Sequence, residues 1–299
     1  MASLPFRLLA NKMTKISVAL ATYNEEENLG ACLELVKDLA DEIIIVDGSS
    51  QDKTVEIAKE YGAKVIVTNN PPIFHINKQK ALEACQGDWI LQLDADERVN
   101  KELAKEIKMI TALSDKKIDR YQKTITKKDL FLRHQRIVEA RDGKIGQYKG
   151  EYAGFFVPRL NYFLGKYLHY GGVYPDGVIR LVKKGRAHFP CKTVHEQIEI
   201  EGRVGWLQND LLHYADTTFK KYLKRNSHYI DLMVDEFREK KLGKNPIQSL
   251  NYFLIKPIYW FGLTLFRHKG ILDGFQGVVF SFFSALRFPR AYWRYLLKK

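Results

Sequence analysis

The sequence has little cysteine, no long unbroken apolar run and no glycine-rich loop after its first strand, and each absence narrows what the chain can be. Its three cysteines, Cys32, Cys85 and Cys191, are widely spaced and form no metal-like pair. That excludes a disulfide framework and suits a reducing compartment. No stretch supplies the roughly twenty uninterrupted apolar residues of a membrane-spanning helix. Met1 to Met13 contains Leu4, Phe6, Leu8 and Leu9, an apolar run too short for a secretory signal and followed by no small-residue cleavage site. A short surface helix or a disordered extension over 1–14 is expected. No internal repeat is visible. What is present is a 45% apolar fraction in 299 residues, ample for one large domain or a domain with an appendage.

Charge is the next feature: 48 basic against 35 acidic residues, +13 overall. From Lys220 to Lys299 there are 16 Lys/Arg against 5 Asp/Glu, a net of +11. A basic tail suits nucleic acid or an anionic membrane surface, and the residues between the charges decide. Tyr252, Phe253, Leu254, Ile255, Ile258, Tyr259, Trp260 and Phe261 form one dense run, and Ile271 to Phe288 holds another. Lys256-Pro257 interrupts the first, and Asp273 and Gln276 interrupt the second. Nucleic-acid platforms would be spaced aromatics on a polar groove, so no nucleic acid is expected. Aromatics flanked by Arg and Lys fit helices lying in a bilayer interface. Core helices packed on the rest of the chain are the alternative.

Along the chain, Lys15 to Ala21, Glu42 to Val46, Lys64 to Thr68 and Trp89 to Leu93 read as buried strands. Helices are expected at Leu29 to Leu39, from Asp52 to Tyr61, at Ile76 to Cys85 and from Lys101 to about Leu113. Alternating strands and helices mean βαβ units and a parallel sheet. Asp115 to Lys149 breaks the pattern with 11 Lys/Arg against 5 Asp/Glu. It reads as a polar insertion, either a lid or binding loop or an exposed hairpin. Short strands are expected at Val178 to Lys183, Thr193 to Ile200 and Leu211 to Tyr214, then an amphipathic helix from Thr217 to Lys240. The expected organisation is a catalytic domain over 15–216 and a helical, membrane-associating region over 217–299.

The chemistry concentrates where the fourth strand ends, in Leu93-Asp94-Ala95-Asp96-Glu97. A buried strand that delivers carboxylates at its C-terminal end puts them in the crevice where open α/β sheets bind ligands. If the chain is still extended, Asp94 and Asp96 share one face. Two close carboxylates repel unless a positive charge sits between them. A hard ion such as Mg²⁺ or Mn²⁺, itself holding phosphate oxygens, answers that need. A solvated acidic turn capping the helix at Lys101 is the plainer alternative. The second strand ends in Asp47, whose carboxylate can accept from a base or ribose, and the first ends in Thr22-Tyr23-Asn24-Glu25, where Tyr23 offers a ring to stack on. The acidic loop TYNEEEN would repel a triphosphate, which argues against a nucleotidyltransferase.

The segments ISVALATYNEEENL, EIIIVDGSSQDKT, NKQKALEACQGDWI and LQLDADE resemble the family 2 glycosyltransferases of GT-A fold. Further on, VPRLNYFLGKYL, GGVYPDGVIRLVKKG, KTVHEQI and IKPIYWFGLTLFRHKGILDGFQG look like the bacterial subgroup related to the lipopolysaccharide core β-glucosyltransferase. The resemblance implies a Rossmann-like α/β fold with a mostly parallel central sheet, flanking helices and a C-terminal helical membrane-associated appendage. It implies Thr22, Tyr23 and Glu25 lining the nucleotide pocket, Asp47 on the base or ribose, Asp94 facing the sugar or ribose, and Asp96 on the metal. Lys78 stands where many members carry an Arg, which keeps the charge and loses the bidentate fork.

An inverting transfer also needs a base for the acceptor hydroxyl and charge stabilisation on the leaving diphosphate. Glu196, beside His195 at a strand end, is favoured as the base over Asp176, which follows a proline in a glycine-rich loop. His195 is a candidate for holding the diphosphate or the metal. Arg159 and Arg180 are candidate anion contacts, or surface residues. The expected activity is metal-dependent transfer of a hexose from a nucleotide-diphosphate sugar to a lipid-linked or lipopolysaccharide-type glycan. The enzyme would sit peripherally on the cytoplasmic face of the cell membrane. Transfer to polyprenyl phosphate, which needs no base, and a non-catalytic sugar-nucleotide-binding scaffold are the rivals.

Overall fold

A computed structural model of the protein describes residues 14–192 and 197–297; all but Thr14 of the expected N-terminal extension lies outside them. In chain order the elements begin β1 (Ile16–Thr22), α1 (Leu29–Val36), β2 (Glu42–Asp47), α2 (Thr54–Glu60), β3 (Lys64–Val67), α3 (His75–Ala84) and β4 (Trp89–Leu93). Next come β5 (Glu97–Val99), α4 (Lys101–Thr111), α5 (Asp115–Thr124), α6 (Lys128–Asp142), β6 (Tyr152–Val157), β7 (Arg159–Phe163) and β8 (Lys166–Tyr167). They continue with β9 (Val178–Lys183), β10 (Ala187–His188), β11 (Glu199–Ile200), β12 (Arg203–Trp206) and β13 (Leu211–Asp216). The helices α7 (Phe219–Glu239), α8 (Pro246–Leu250), α9 (Lys256–Gly262), α10 (Phe275–Ala285) and α11 (Arg287–Leu297) complete the chain.

The chain folds as two compact units. The first runs to Arg159 and resumes over Gly177–Leu212; the second joins Leu160–Asp176 to everything from His213 onward. This differs from a division at 216/217, because the β7–β8 hairpin belongs with the C-terminal helices. No shift in composition marks that exchange.

The first unit is built on a seven-stranded sheet of order β12-β6-β9-β4-β1-β2-β3. β1 is parallel to β2 and β4, β2 to β3, and β12 to β6. Only β9 runs against its neighbours β4 and β6. The period-two alternation of a strand divides the apolar residues between two faces. Ile16, Val18 and Leu20 of β1, Ile43 and Ile45 of β2, and Trp89, Leu91 and Leu93 of β4 share one buried cluster with Leu29, Leu33 and Val36 of α1 and Leu103, Ile107 and Ile110 of α4. α3 packs against β1 and β2. Covered strands of this kind read as continuous apolar runs, which is why they were visible in the sequence.

The polar insertion is not a loop or a hairpin but two helices, α5 and α6. Ile118 of α5 and Phe131 and Val138 of α6 are buried, while Leu130, Leu132 and Ile137 stay exposed. Phe131 and Phe156 both stack on Trp206, with ring centroids 4.7 and 4.5 Å away. Gln122 exchanges two hydrogen bonds of 2.9 Å with the backbone of Trp206. A helix needs only a narrow apolar stripe to dock, so a segment of high charge content can still pack as two helices.

In the second unit, Phe163 and Leu168 of the hairpin region and Tyr222 of α7 are buried together, with Phe280 and Phe283 of α10 against them. A second cluster joins Ile230, Val234 and Phe237 of α7 to Tyr252 and to Ala291, Tyr292 and Tyr295 of α11. Asp273, almost wholly buried, accepts from the backbone N–H groups of His169 (3.2 Å) and Tyr170 (2.9 Å). Residues 246–267 run through α8, a π-helical turn at Asn251–Ile255, α9 and a second π-helical turn at Leu263–Arg267. Pro257 follows the first widened turn; in a regular helix it would strike the carbonyl four residues back. Ile247, Leu250, Leu254, Ile258 and Phe266 recur at helical spacing, and all are more than half exposed. Among the described residues no helix is long and apolar enough to cross a membrane.

Candidate active site

The chain leaves β1 for β2 and β3 on one side and returns to β4 on the other. The strand order therefore reverses between β1 and β4, and a crevice opens at their C-terminal ends. Three loops meet at that edge: residues 22–28 after β1, 47–53 after β2, and 94–97 after β4.

The first two loops clasp one another. Thr22 donates its hydroxyl to Asp47 Oδ2 (2.9 Å), and Ser50 donates its N–H to Oδ1 (2.8 Å) and its hydroxyl to Oδ2 (2.6 Å). Asp47 is fully buried. A carboxylate offers about four acceptor positions, so these three bonds leave room for roughly one more. Asn24 Oδ1 accepts from the Gln51 N–H, Thr54 Oγ1 from the Glu25 N–H, and Glu26 Oε2 from the Lys53 N–H. The Glu25 carboxylate accepts from Asn28 Nδ2 at 2.8 Å. Asn24 (φ 54°) and Ser49 (φ 64°) adopt the left-handed conformation that such tight loops require. Between them Tyr23 stands nearly half exposed. Of the residues expected to line a nucleotide pocket, Tyr23 thus presents a ring at the rim, while the Thr22 hydroxyl is spent on holding Asp47.

After Leu93 the chain does not stay extended. The Glu97 N–H donates to the Asp94 carbonyl (3.0 Å) and Glu97 Oε2 accepts from the Asp94 N–H (3.0 Å), which closes a turn over 94–97. The premise that Asp94 and Asp96 share one strand face therefore fails. Asp94 Oδ1 lies 2.5 Å from Lys78 Nζ, and Oδ2 is hydrogen-bonded to Arg180 Nη2. Burial alone would raise the Asp94 carboxyl; the Arg180 guanidinium and then the Lys78 ammonium prevail and hold it well below the usual carboxylate range. For Lys78 burial is the larger effect, and it pushes the ammonium down against the pull of Asp94.

Glu97 is completely buried. Its Oε1 accepts from Arg180 Nε (3.2 Å) and Nη2 (2.7 Å) and from Arg159 Nη1 (3.3 Å). Arg180 also donates to Gln92 Oε1. Arg98 donates to the carbonyls of Ala95 (2.6 Å), Glu97 (2.9 Å) and Asn28 (3.0 Å). Among the described residues, Asp94 and Glu97 are thus met by three cations, Lys78, Arg159 and Arg180.

Asp96 sits half-buried on the same turn. The acids do not form a cage: among the described residues no three His, Cys, Asp or Glu side chains are grouped to hold a metal. Both Asp94 oxygens are on cations, and Asp96 is the next carboxylate of the turn. Mg²⁺ and Mn²⁺ are commonly held by one or two carboxylates plus substrate phosphates, and this donor set fits that mode. His195 and Glu196, the candidate metal ligand and candidate base, lie outside the described residues. Asp176 belongs to the second unit, where Asn161 Nδ2 donates to it at 3.2 Å and Asn161 Oδ1 is bonded to His213 Nδ1.

Two functional candidates were under-read in the sequence. Glu97 was only the third acid of the motif, and Arg180 was no more than a candidate anion contact. The available signal was a lone Arg inside the apolar strand Val178–Lys183: a charge in a covered strand needs a buried partner.

Residues 17–160 match the family model described as glycosyl transferase family 2. An uncharacterized glycosyltransferase of Rickettsia typhi is 29% identical over 290 residues, covering 93% of this chain and 86% of that protein. The lipopolysaccharide core biosynthesis glycosyltransferase LpsC of Rhizobium meliloti is 27% identical over 301 residues, covering 95% and 94%. A solved structure of glucosyl-3-phosphoglycerate synthase from Mycobacterium tuberculosis, in complex with Mn²⁺, UDP and glucosyl-3-phosphoglycerate, overlaps only partially. Its TM-score is 0.28 and its identity 25%, over 32% of this chain and 40% of that one. The chain is a glycosyltransferase, its residues 17–160 forming a glycosyl transferase family 2 domain.

Proposed function

We propose that the enzyme transfers a hexose, with inversion, from a nucleotide-diphosphate sugar to a lipid-linked or lipopolysaccharide-type glycan, at the cytoplasmic face of a membrane. The observation that carries this reading is the sheet edge between β1 and β4, where an acid turn is backed by the cations Lys78, Arg159 and Arg180. Such a surface attracts a diphosphate, while Asp47 and Tyr23 at the neighbouring loop ends suit a base and ribose. Asp96 would hold Mg²⁺ or Mn²⁺, whose chemistry there is to neutralise charge on the departing diphosphate. Asp94 would face the donor sugar, and Lys78 would stand at the diphosphate side of it. Glu196 would take the proton from the acceptor hydroxyl as that oxygen attacks the anomeric carbon; Asp176 would contact the acceptor.

Two further observations support the acceptor and the location. LpsC, similar over nearly its whole length, is named for lipopolysaccharide core biosynthesis. The exposed stripe Ile247, Leu250, Leu254, Ile258 and Phe266 lies within a C-terminal region, Lys220 to Lys299, that has 16 Lys/Arg against 5 Asp/Glu, which suits a helix bound in the plane of an anionic surface. The donor is tested by a thermal-shift screen of nucleotide sugars with and without Mn²⁺. A ligand of the native state raises the unfolding midpoint by mass action. A shift by at least one nucleotide sugar, larger with the ion, is expected; no shift by any of them counts against the proposal.

A further inference from the structure

Glu97 and Arg180 form the centre of the buried charge cluster, and neither touches a reactant in the reading above. Arg180 reaches from β9 to three acceptors on β4 and the turn that follows it: Gln92, Asp94 and Glu97. Glu97 Oε1 takes Nε and Nη2 of the same guanidinium, while its Oε2 takes the Asp94 N–H. The carboxylate that holds Arg180 therefore also holds the backbone of the residue that Arg180 grips. Buried ion pairs contribute little net stability compared with apolar side chains of the same volume. Their gain is direction: a planar guanidinium spanning fixed acceptors has one orientation, and so does a carboxylate held between two cations.

We propose that Glu97 and Arg180 are positioning residues for the transfer: Glu97 anchors Arg180, and Arg180 together with Lys78 fixes the Asp94 carboxylate in the orientation that receives the donor sugar. This rests on the reading of Asp94 as the residue facing the donor. A misplacement of about 1 Å at a reacting centre costs on the order of a hundredfold in rate. A lysine at 180 would keep the charge and lose the span, because a single ammonium cannot reach Gln92, Asp94 and Glu97 in one plane.

The test uses the full chain with MnCl₂, a lipopolysaccharide-core acceptor preparation, and a donor panel of UDP-glucose, UDP-galactose, GDP-mannose and ADP-glucose, read as nucleotide release. Glu97→Gln, Arg180→Lys and the double variant are compared with wild type at a temperature where each is shown folded by its thermal midpoint. Each single substitution is expected to lower kcat by about a hundredfold with little change in donor KM. The double variant is expected to lose no more than the worse single, because both act through Asp94. A purely structural role predicts losses that multiply and follow the thermal midpoint instead. Wild-type kcat in Arg180→Lys, or multiplied losses in the double variant, overturns the positioning role. Should Glu97→Gln fail to fold, Arg180→Lys decides by its own kcat and KM. If the wild-type enzyme turns over none of the donors, the transfer reading falls and takes this inference with it, an outcome distinct from an active enzyme with indifferent variants.

Discussion

Asp47→Ala tests whether the nucleotide-side loops are held by one carboxylate. Asp47 is fully buried and carries three hydrogen bonds, from the Thr22 hydroxyl, the Ser50 N–H and the Ser50 hydroxyl. Thr22 is itself buried, so without Asp47 its hydroxyl keeps no acceptor there, while Ser50 is placed to recruit water. A buried donor left unsatisfied costs about 1–3 kcal/mol, and bonds to a charged acceptor contribute about 1.5–3 kcal/mol each. Allowing for water at Ser50, the expected loss is about 3–4 kcal/mol. Asp47→Asn should lose less, about 1–2 kcal/mol, because both hydroxyls can rotate to accept from the amide.

The assay is urea unfolding followed by tryptophan fluorescence, with the slope checked for constancy. Thr22→Val closes a cycle: in the Asp47→Ala background it should be nearly neutral, so the two losses should fall short of additive by at least about 1 kcal/mol. Donor-induced thermal shifts should vanish in Asp47→Ala even where the protein is folded. A loss below about 1 kcal/mol, or full additivity with Thr22→Val, would refute the idea that this carboxylate holds the two loops together.

Asp96→Ala should abolish transfer and leave the thermal midpoint of the ligand-free protein unchanged, since the turn is held by Glu97 and Arg98; full turnover in a metal-free assay would remove the proposed metal role. Glu196→Gln should lower kcat by roughly 10²–10⁴-fold with donor binding preserved, while Asp176→Asn should act mainly on acceptor KM. The opposite pattern would exchange their roles, and indifference of both would favour an acceptor that is already an anion, such as polyprenyl phosphate. Leu254→Asp combined with Ile258→Asp should abolish flotation with anionic liposomes and leave turnover of a soluble acceptor intact; equal flotation would mean that the stripe does not face lipid.

The four parallel strands of the first unit and the acids at their ends were legible because covered strands must be apolar and a strand that ends in carboxylates breaks that rule abruptly. α5 and α6 were not legible, because docking a helix needs few apolar residues and Phe131 and Val138 are easily overlooked among eleven basic ones. The geometry around Asp94 escaped as well. Its Arg180 partner is 86 residues away, and no local pattern announces a turn that is closed by its own fourth residue. Periodicity reports what a segment buries; it carries no information on which distant charge it meets.

The hairpin lent to the second unit has a consequence for how the protein is made. Phe163, Leu168 and the N–H groups of His169 and Tyr170 leave the ribosome long before the partners that cover them. Asp273 follows Tyr170 by 103 residues, and Phe280 and Phe283 come later still. At synthesis rates of about 5–20 residues per second, the hairpin waits on the order of 5–20 seconds for Asp273 and longer for Phe280 and Phe283. The first unit is complete by Leu212, so a nascent chain passes through a stage in which the sheet is formed and this segment still lacks its C-terminal partners. A chain cut at Pro246 would keep Tyr222 beside Phe163 and Leu168 but never acquire Asp273, Phe280 and Phe283. A truncated protein that sticks to membranes, or to itself, would therefore report an orphaned hairpin and say nothing about the missing helices.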